Sequence, residues 1–218
     1  MNGLALMFRR LLQLYTGLAL YGFGISLQVS SALGNDPWDV FHQGLARRFG
    51  LSLGTWIIIA GAVVMLGWIP LRQKPGLGTV SNVVLVGVFA DLGLWLLPHP
   101  DGLALRWTYL LAAILVSGFA TGLYIGAGHG PGPRDGLMTG MAARGVPIRV
   151  ARTGVELTVL LVGWLLGGTV GLGTVLYAVL IGPLCHWTVP ALRIRLPEPE
   201  RPTEHTAADQ AAPEPVSV

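Results

Sequence analysis

Two segments of this chain place ionisable side chains where a helix begins. Gly34-Asn-Asp-Pro-Trp-Asp-Val-Phe-His-Gln-Gly-Leu45 and Gly130-Pro-Gly-Pro-Arg-Asp-Gly-Leu-Met-Thr-Gly-Met141 share the pattern Gly-x-x-Pro-x-Asp. Pro37 and Pro133 suit a first helical position, where the missing N–H costs nothing. Asp39 and Asp135, two residues on, sit where a carboxylate meets unpaired amides and the positive end of the helix dipole. Asp36 is in addition a good N-cap. The plain reading is that these carboxylates start a helix and hold a loop. The functional reading makes Asp39, Asp135, Trp38 and His42 candidate ligands for a solute or a cation, with Arg134 as a secondary candidate.

Three more ionisable residues lie inside apolar runs, where such groups face the protein interior or water. Asp91 is a further candidate ligand. Glu156 and His186 are secondary ones, because Glu156 sits four residues after Arg152 at pairing distance on a helix, and His186 lies near the end of its run beside Cys185. Asn82, Gln28 and Tyr124 are available to add hydrogen bonds to a cavity. Cys185 is the only cysteine, which excludes an internal disulfide and a multi-cysteine zinc site. His-Glu-x-x-His, Gly-x-Ser-x-Gly, a Walker loop and an Asp-rich diphosphate motif are all missing, so no enzyme, metal or cofactor is expected.

The elements that must position these groups are membrane helices. Hydrophobic residues make up 52% of the chain and charged ones 11%, far below the charged share of about 25% usual in soluble domains. Six mostly apolar runs approach the length of about 20 residues that crosses a bilayer: 11–33, 53–71, 77–97, 105–127, 150–168 and 172–192. The first resembles a signal peptide with small residues at Ser30 and Ala32, but its counterpart recurs as the fourth run. With the N-terminus inside, ten Arg and Lys residues fall on cytoplasmic segments, from Arg9 to Arg195, and only Arg47, Arg48 and Arg106 fall outside. That asymmetry predicts both termini in the cytoplasm and an inner-membrane location. The net charge of +3 is spread between apolar runs, which argues against a nucleic-acid partner. Residues 197–218 hold five of the eleven acidic residues and no apolar period, and read as a disordered cytoplasmic tail.

The chain also repeats itself. At an offset of 96 residues, Gly34, Pro37, Asp39, Gly44 and Arg48 fall on Gly130, Pro133, Asp135, Gly140 and Arg144, and Gly67-Trp68 falls on Gly163-Trp164. At an offset of 95, Gly76-Leu-Gly-Thr-Val80 equals Gly171-Leu-Gly-Thr-Val175, Gly87 meets Gly182, and Asp91 meets His186. The organisation expected is therefore a short N-terminus (1–10), one repeat (11–98), a second repeat (105–192) and the tail. Three spans per repeat turn the second copy over, giving an all-α bundle of six transmembrane helices as two inverted three-helix repeats, an architecture common among secondary transporters. Small residues at every fourth position (Gly22, Ser26, Ser30, Gly34 and Gly118, Gly122, Gly126, Gly130) predict close helix packing. The segments 37–50 and 133–146 are too short and polar to span. On the first, Trp38, Phe41, Leu45 and Phe49 form one face and Asp39, His42, Gln43 and Arg47 another, so it lies on the surface or dips in as a re-entrant helix. If both dip in, one enters from each side and their carboxylates meet.

Gly-x-x-Pro-Trp-Asp-Val-x-x-x-Gly-Leu at 34–45, Gly-Leu-Gly-Thr at 76–79 and Gly-Pro-Arg-Asp-Gly-Leu at 132–137 resemble the bacterial YczE/YitT family of integral membrane proteins over about residues 10–192. The resemblance implies a multi-pass inner-membrane protein. The function expected from the repeats and paired motifs is a small-solute transporter or permease whose site lies at the repeat interface. The alternative is a scaffold that holds a protein partner through its loops and tail; the solute-capturing subunit of an ATP-driven vitamin importer is a third. The partners implied are the lipid bilayer, an unidentified small solute, and a protein partner or a second copy of the chain.

Overall fold

A computed structural model describes residues 3–194, so the expected tail lies outside the described residues. Eight helices follow one another: α1 (Gly3–Ser31), α2 (Pro37–Phe49), α3 (Leu53–Leu71, interrupted at Gly67), α4 (Leu77–Leu96), α5 (Leu103–Gly126), α6 (Pro133–Ala142), α7 (Ile148–Leu165) and α8 (Leu172–Ala191). Among the described residues there is no strand. Four helices, α3, α4, α5 and α8, are long and apolar enough to cross a membrane. The other two expected spans form as helices but fall short in composition: α1 is diluted by Gln13 and Gln28, and α7 carries Arg149, Arg152 and Glu156. Large apolar side chains cover the outside, among them Val63, Leu115, Leu161 and Val179, with Trp95 and Trp187 at 80% and 75% exposure. An apolar exterior of that extent suits lipid and not water.

The packing centres on α1 and α5. Arg10, near the start of α1, donates from Nε and Nη2 to the carbonyls of Ala127 and Gly128 just past the end of α5, both at 2.8 Å. Arg106, near the start of α5, donates in the same way to Ser31 and Ala32 at the end of α1, at 2.7 and 2.6 Å. Each helix thus begins where the other ends, and the two are antiparallel. Each arginine also satisfies carbonyls that a helix C-terminus leaves unpaired, at the negative end of its dipole. The backbone turns that follow use left-handed geometry at matching positions, Ala32 and Gly34 after α1 (φ 51° and 121°), Gly128 and Gly130 after α5 (70° and 113°).

Around this pair α4 packs on α1, and α8 packs on α5. In lipid the transfer of apolar surface out of water no longer drives helices together, so close backbone approach must supply the contact. The small-residue ridges supply it. A Cβ on Gly22 would lie 2.6 Å from the Val86 carbonyl of α4. Cβ atoms on Gly118 and Gly122 would lie 2.9 and 2.8 Å from the Cβ atoms of Leu184 and Thr188 on α8. Leu14, Leu18, Ile25, Val86 and Ala90 fill the core on one side, and Leu110, Ile114 and Tyr177 fill it on the other. The short helices cross over: α2 packs on α7, with Gly44 against Gly163, and α6 packs on α3, with Gly136 against the Trp68 ring. Two crossing backbone bonds match as well, Gly78 N–H to His129 O at 2.9 Å and Gly173 N–H to Leu33 O at 2.8 Å.

One joint differs between the halves. α3 and α4 are packed together, with Gly54 and Gly87 facing each other so closely that neither has room for a Cβ. Asp91 completes that joint, its Oδ1 accepting from Gly54 N–H at 2.7 Å and its Oδ2 from the Ser52 hydroxyl at 2.5 Å. The corresponding helices α7 and α8 are not packed on each other in this way. Gly182, the counterpart of Gly87, has nothing within 4 Å of a Cβ position, and Val150, the counterpart of Gly54, is 60% exposed.

Candidate functional site

At the gap between α7 and α8 lies a cavity of about 260 Å³. Its inner end is formed by the N-termini of α2 and α6, which approach each other from opposite halves of the chain. α2 starts there because Asp36 caps it, accepting from Asp39 N–H at 2.7 Å, and Pro37 takes the first helical position. α6 starts there with Pro133, whose carbonyl accepts from the Trp68 indole at 3.0 Å.

Arg134, the second residue of α6, occupies the meeting point. Its Nη1 lies 3.6 Å from Asp36 Oδ2 and its Nη2 donates to the Tyr21 hydroxyl at 3.1 Å. The guanidinium carbon stands 5.5 Å from the Trp38 ring centre and 5.9 Å from that of Tyr21, within cation–π range of both. Asp135 also lines the cavity, and its Oδ2 accepts from the Tyr124 hydroxyl at 3.2 Å. Toward the mouth, Arg152 and Glu156 bond to each other along α7 at 3.0 Å, as their spacing predicts. Tyr177 and Cys185 of α8 complete the wall.

Behind Arg134 and Trp38 lies a second void of about 30 Å³, which His42 also lines. His42 Nδ1 is 3.2 Å from Asp39 Oδ1, and both residues are buried. Burial pushes the Asp39 carboxyl up to about 6 against the pull of Arg134. Burial and then Arg134 push His42 down to about 3, so the imidazole is neutral and donates to the carboxylate. Asp39 Oδ2, Asn35 Oδ1 and the Trp38 indole nitrogen are buried without a hydrogen-bond partner.

Of the residues singled out in the sequence, Trp38, Asn82, Tyr124, Arg134, Asp135 and Glu156 line the cavity, His42 with Asp39 bonded to it stands behind, and Gln28 lies off the wall, donating to the Gly34 carbonyl. Asp91 is elsewhere, capping the start of α3. His186 is exposed on α8, off the cavity wall. Of the two expected placements of α2, on the surface or dipping in, the helix takes the second at its start. Asp39 and His42 are turned into the protein while Phe49 is 63% exposed, because the helix is packed into the bundle and its polar start faces Arg134. Sequence reasoning treated Asp36 only as a cap and did not find Tyr21 or Tyr177. The signal available for Tyr21 was its place beside Gly22 on the packed ridge; Tyr177 had none. Among the described residues, no three His, Cys, Asp or Glu side chains are grouped to hold a metal ion.

The sequence profile of a family described as a family of unknown function, DUF6198, matches residues 8–190. The chain belongs to this family. It is 42% identical over 166 residues to an uncharacterised protein of Haemophilus influenzae, covering 76% of each chain. To the uncharacterised membrane protein YczE of Bacillus subtilis it is 38% identical over 180 residues, covering 81% of this chain and 83% of that one. To the uncharacterised protein YyaS of the same organism it is 27% identical over 181 residues, covering 80% and 89%. No solved structure matches. With the YczE relationship and four membrane-length apolar helices, this member of the DUF6198 family is a membrane protein.

Proposed function

We propose that the chain is a transporter of a small polar solute in the inner membrane, with six spans arranged as two inverted repeats and with both termini in the cytoplasm. α1 and α7 complete the six: α1 is shielded by α4 and α5, and the charges of α7 sit at its cytoplasmic end and on the cavity wall. The antiparallel α1 and α5, the reciprocal arginine caps and the crossed short helices support the repeat.

The observation that carries the transport reading is the unequal joint. Two halves of like sequence are packed shut between α3 and α4 and stand apart between α7 and α8, and the cavity lies at the open joint. In an alternating-access cycle the halves exchange these states, so α7 closes on α8 as α3 leaves α4. In the state described, the cavity faces the cytoplasmic ends of α7 and α8.

The test is a disulfide. In a Cys185→Ala background, Val150→Cys and Gly182→Cys occupy the counterparts of Gly54 and Gly87. The expected result is that oxidation links them in membranes and stops uptake of a transported solute by cells, with recovery on reduction. A pair that never links, or uptake unaffected by a complete link, refutes the exchange.

A further inference from the structure

We infer that the cavity binds a small organic cation, with Asp135 as its counter-ion; this rests on the cavity being the solute site proposed above. The argument is one of charge balance. Arg152 and Glu156 neutralise each other at the mouth. Around the inner end stand three carboxylates, Asp36, Asp39 and Asp135, and one guanidinium, that of Arg134, which faces Asp36. Arg134 is 3.6 Å from Asp36 and faces the Asp36–Asp39 pair, so even with one proton shared between those two carboxylates a negative charge remains. His42 is neutral and does not offset it. Asp135 makes no ion pair among the described residues and accepts only the Tyr124 hydroxyl. Asp135 is half-buried on the cavity wall, and a carboxylate there without a positive partner attracts a cation.

The walls fit an organic cation better than a bare metal ion. Tyr124 and Tyr177 line the space beside Asp135 with aromatic surface, and attraction between a cation and an aromatic face strengthens with desolvation. Among the described residues, no three His, Cys, Asp or Glu side chains are grouped to replace the water around an inorganic ion. The second polar feature is Trp38, 5% exposed, which lines the cavity and whose indole N–H has no acceptor. An ammonium on a short chain sets its charge against Asp135 and its chain against the aromatic walls, Trp38 among them.

Choline and putrescine serve as cationic probes, with lactate and glycerol as the anionic and neutral comparisons. Cys185, the only thiol, lines the same cavity and reports occupancy without any mutation. The expected result with the purified full chain is that choline or putrescine slows N-ethylmaleimide labelling of Cys185 saturably, whereas lactate and glycerol do not. In Asp135→Asn the affinity falls at least tenfold and in Asp135→Glu it is largely kept. Protection by lactate or glycerol in place of the cations, protection by none of the four, or protection by a cation that survives in Asp135→Asn, overturns the inference. If Asp135→Asn does not fold, the unmutated protein still decides between cation, anion and neutral solute. Cation binding without uptake removes the transport reading and keeps the cation class; saturable uptake of lactate does the reverse.

Discussion

Arg134 is the residue on which the inner end of the cavity depends. It neutralises the carboxylates that start α2 while itself belonging to the start of α6, so it ties the two halves together through charge. Arg134→Gln strands Asp36 and Asp39 in a buried site without a cation and is expected to destabilise the protein by about 3–5 kcal/mol, measured as thermal or denaturant unfolding in detergent. Asp91 gives the opposite expectation. Its two oxygens cap the start of α3 and do not touch the cavity, so Asp91→Ala should cost about 1–2 kcal/mol of stability and leave the protection of Cys185 by choline unchanged. Asp36, Asp39 and Asp135 were legible in the sequence because proline and aspartate at fixed spacing announce a helix start. Which of them lines the cavity was not. Asp36 and Asp135 do, and the roll of α2 that turns Asp39 into the protein is set by α7, a partner distant in the chain.

At the scale of helices, the small-residue ridges were readable as packing surfaces and act as such. The unequal joint was not readable, because Gly87 and Gly182 are the same residue at equivalent positions and differ only in what stands opposite. That difference gives a paired prediction. Gly87→Leu pushes a side chain into the Gly54 backbone and is expected to lower the yield and melting temperature of folded protein sharply. A Cβ on Gly182 meets nothing within 4 Å in the present state, so Gly182→Leu should fold and melt normally, yet lose uptake, since the larger side chain prevents α7 from closing on α8. Equal behaviour of the two variants in melting temperature counts against the open joint. Whether α2 lay on the surface or entered the bundle was also undecided in the sequence. Its pattern separates two faces but cannot say which part a neighbour will cover, and here the first turns are buried on both faces, Trp38 with Asp39 and His42, while Arg47 and Phe49 at the far end are exposed.

For the whole molecule, the repeat could be found by sliding the chain on itself, and the charge asymmetry predicted its orientation. Arg47 and Arg144 end the two short helices, and both donate to backbone carbonyls of the opposite half, Gly167 and Pro70. Single cysteines at these positions in a Cys185→Ala background should react with a membrane-impermeant maleimide from opposite sides of the membrane. Labelling of both from one side refutes the inverted arrangement. Helices α1 and α7 are the two expected spans that fall short in composition, and a helix surrounded by protein or lining a polar cavity needs less apolar surface than one facing lipid.

The reciprocal grip of Arg10 on the end of α5 and of Arg106 on the end of α1 has a consequence for how the two halves of the chain find each other. The contact is self-complementary, since the same residue in each half holds the same two carbonyls in the other, as at the two-fold axis of a homodimer. None of these bonds uses the segment between α4 and α5. Two halves gripped in this way need no covalent link to hold each other. The present chain, severed between Pro100 and Asp101 and produced as two co-expressed pieces, is expected to reassemble in the membrane and co-purify.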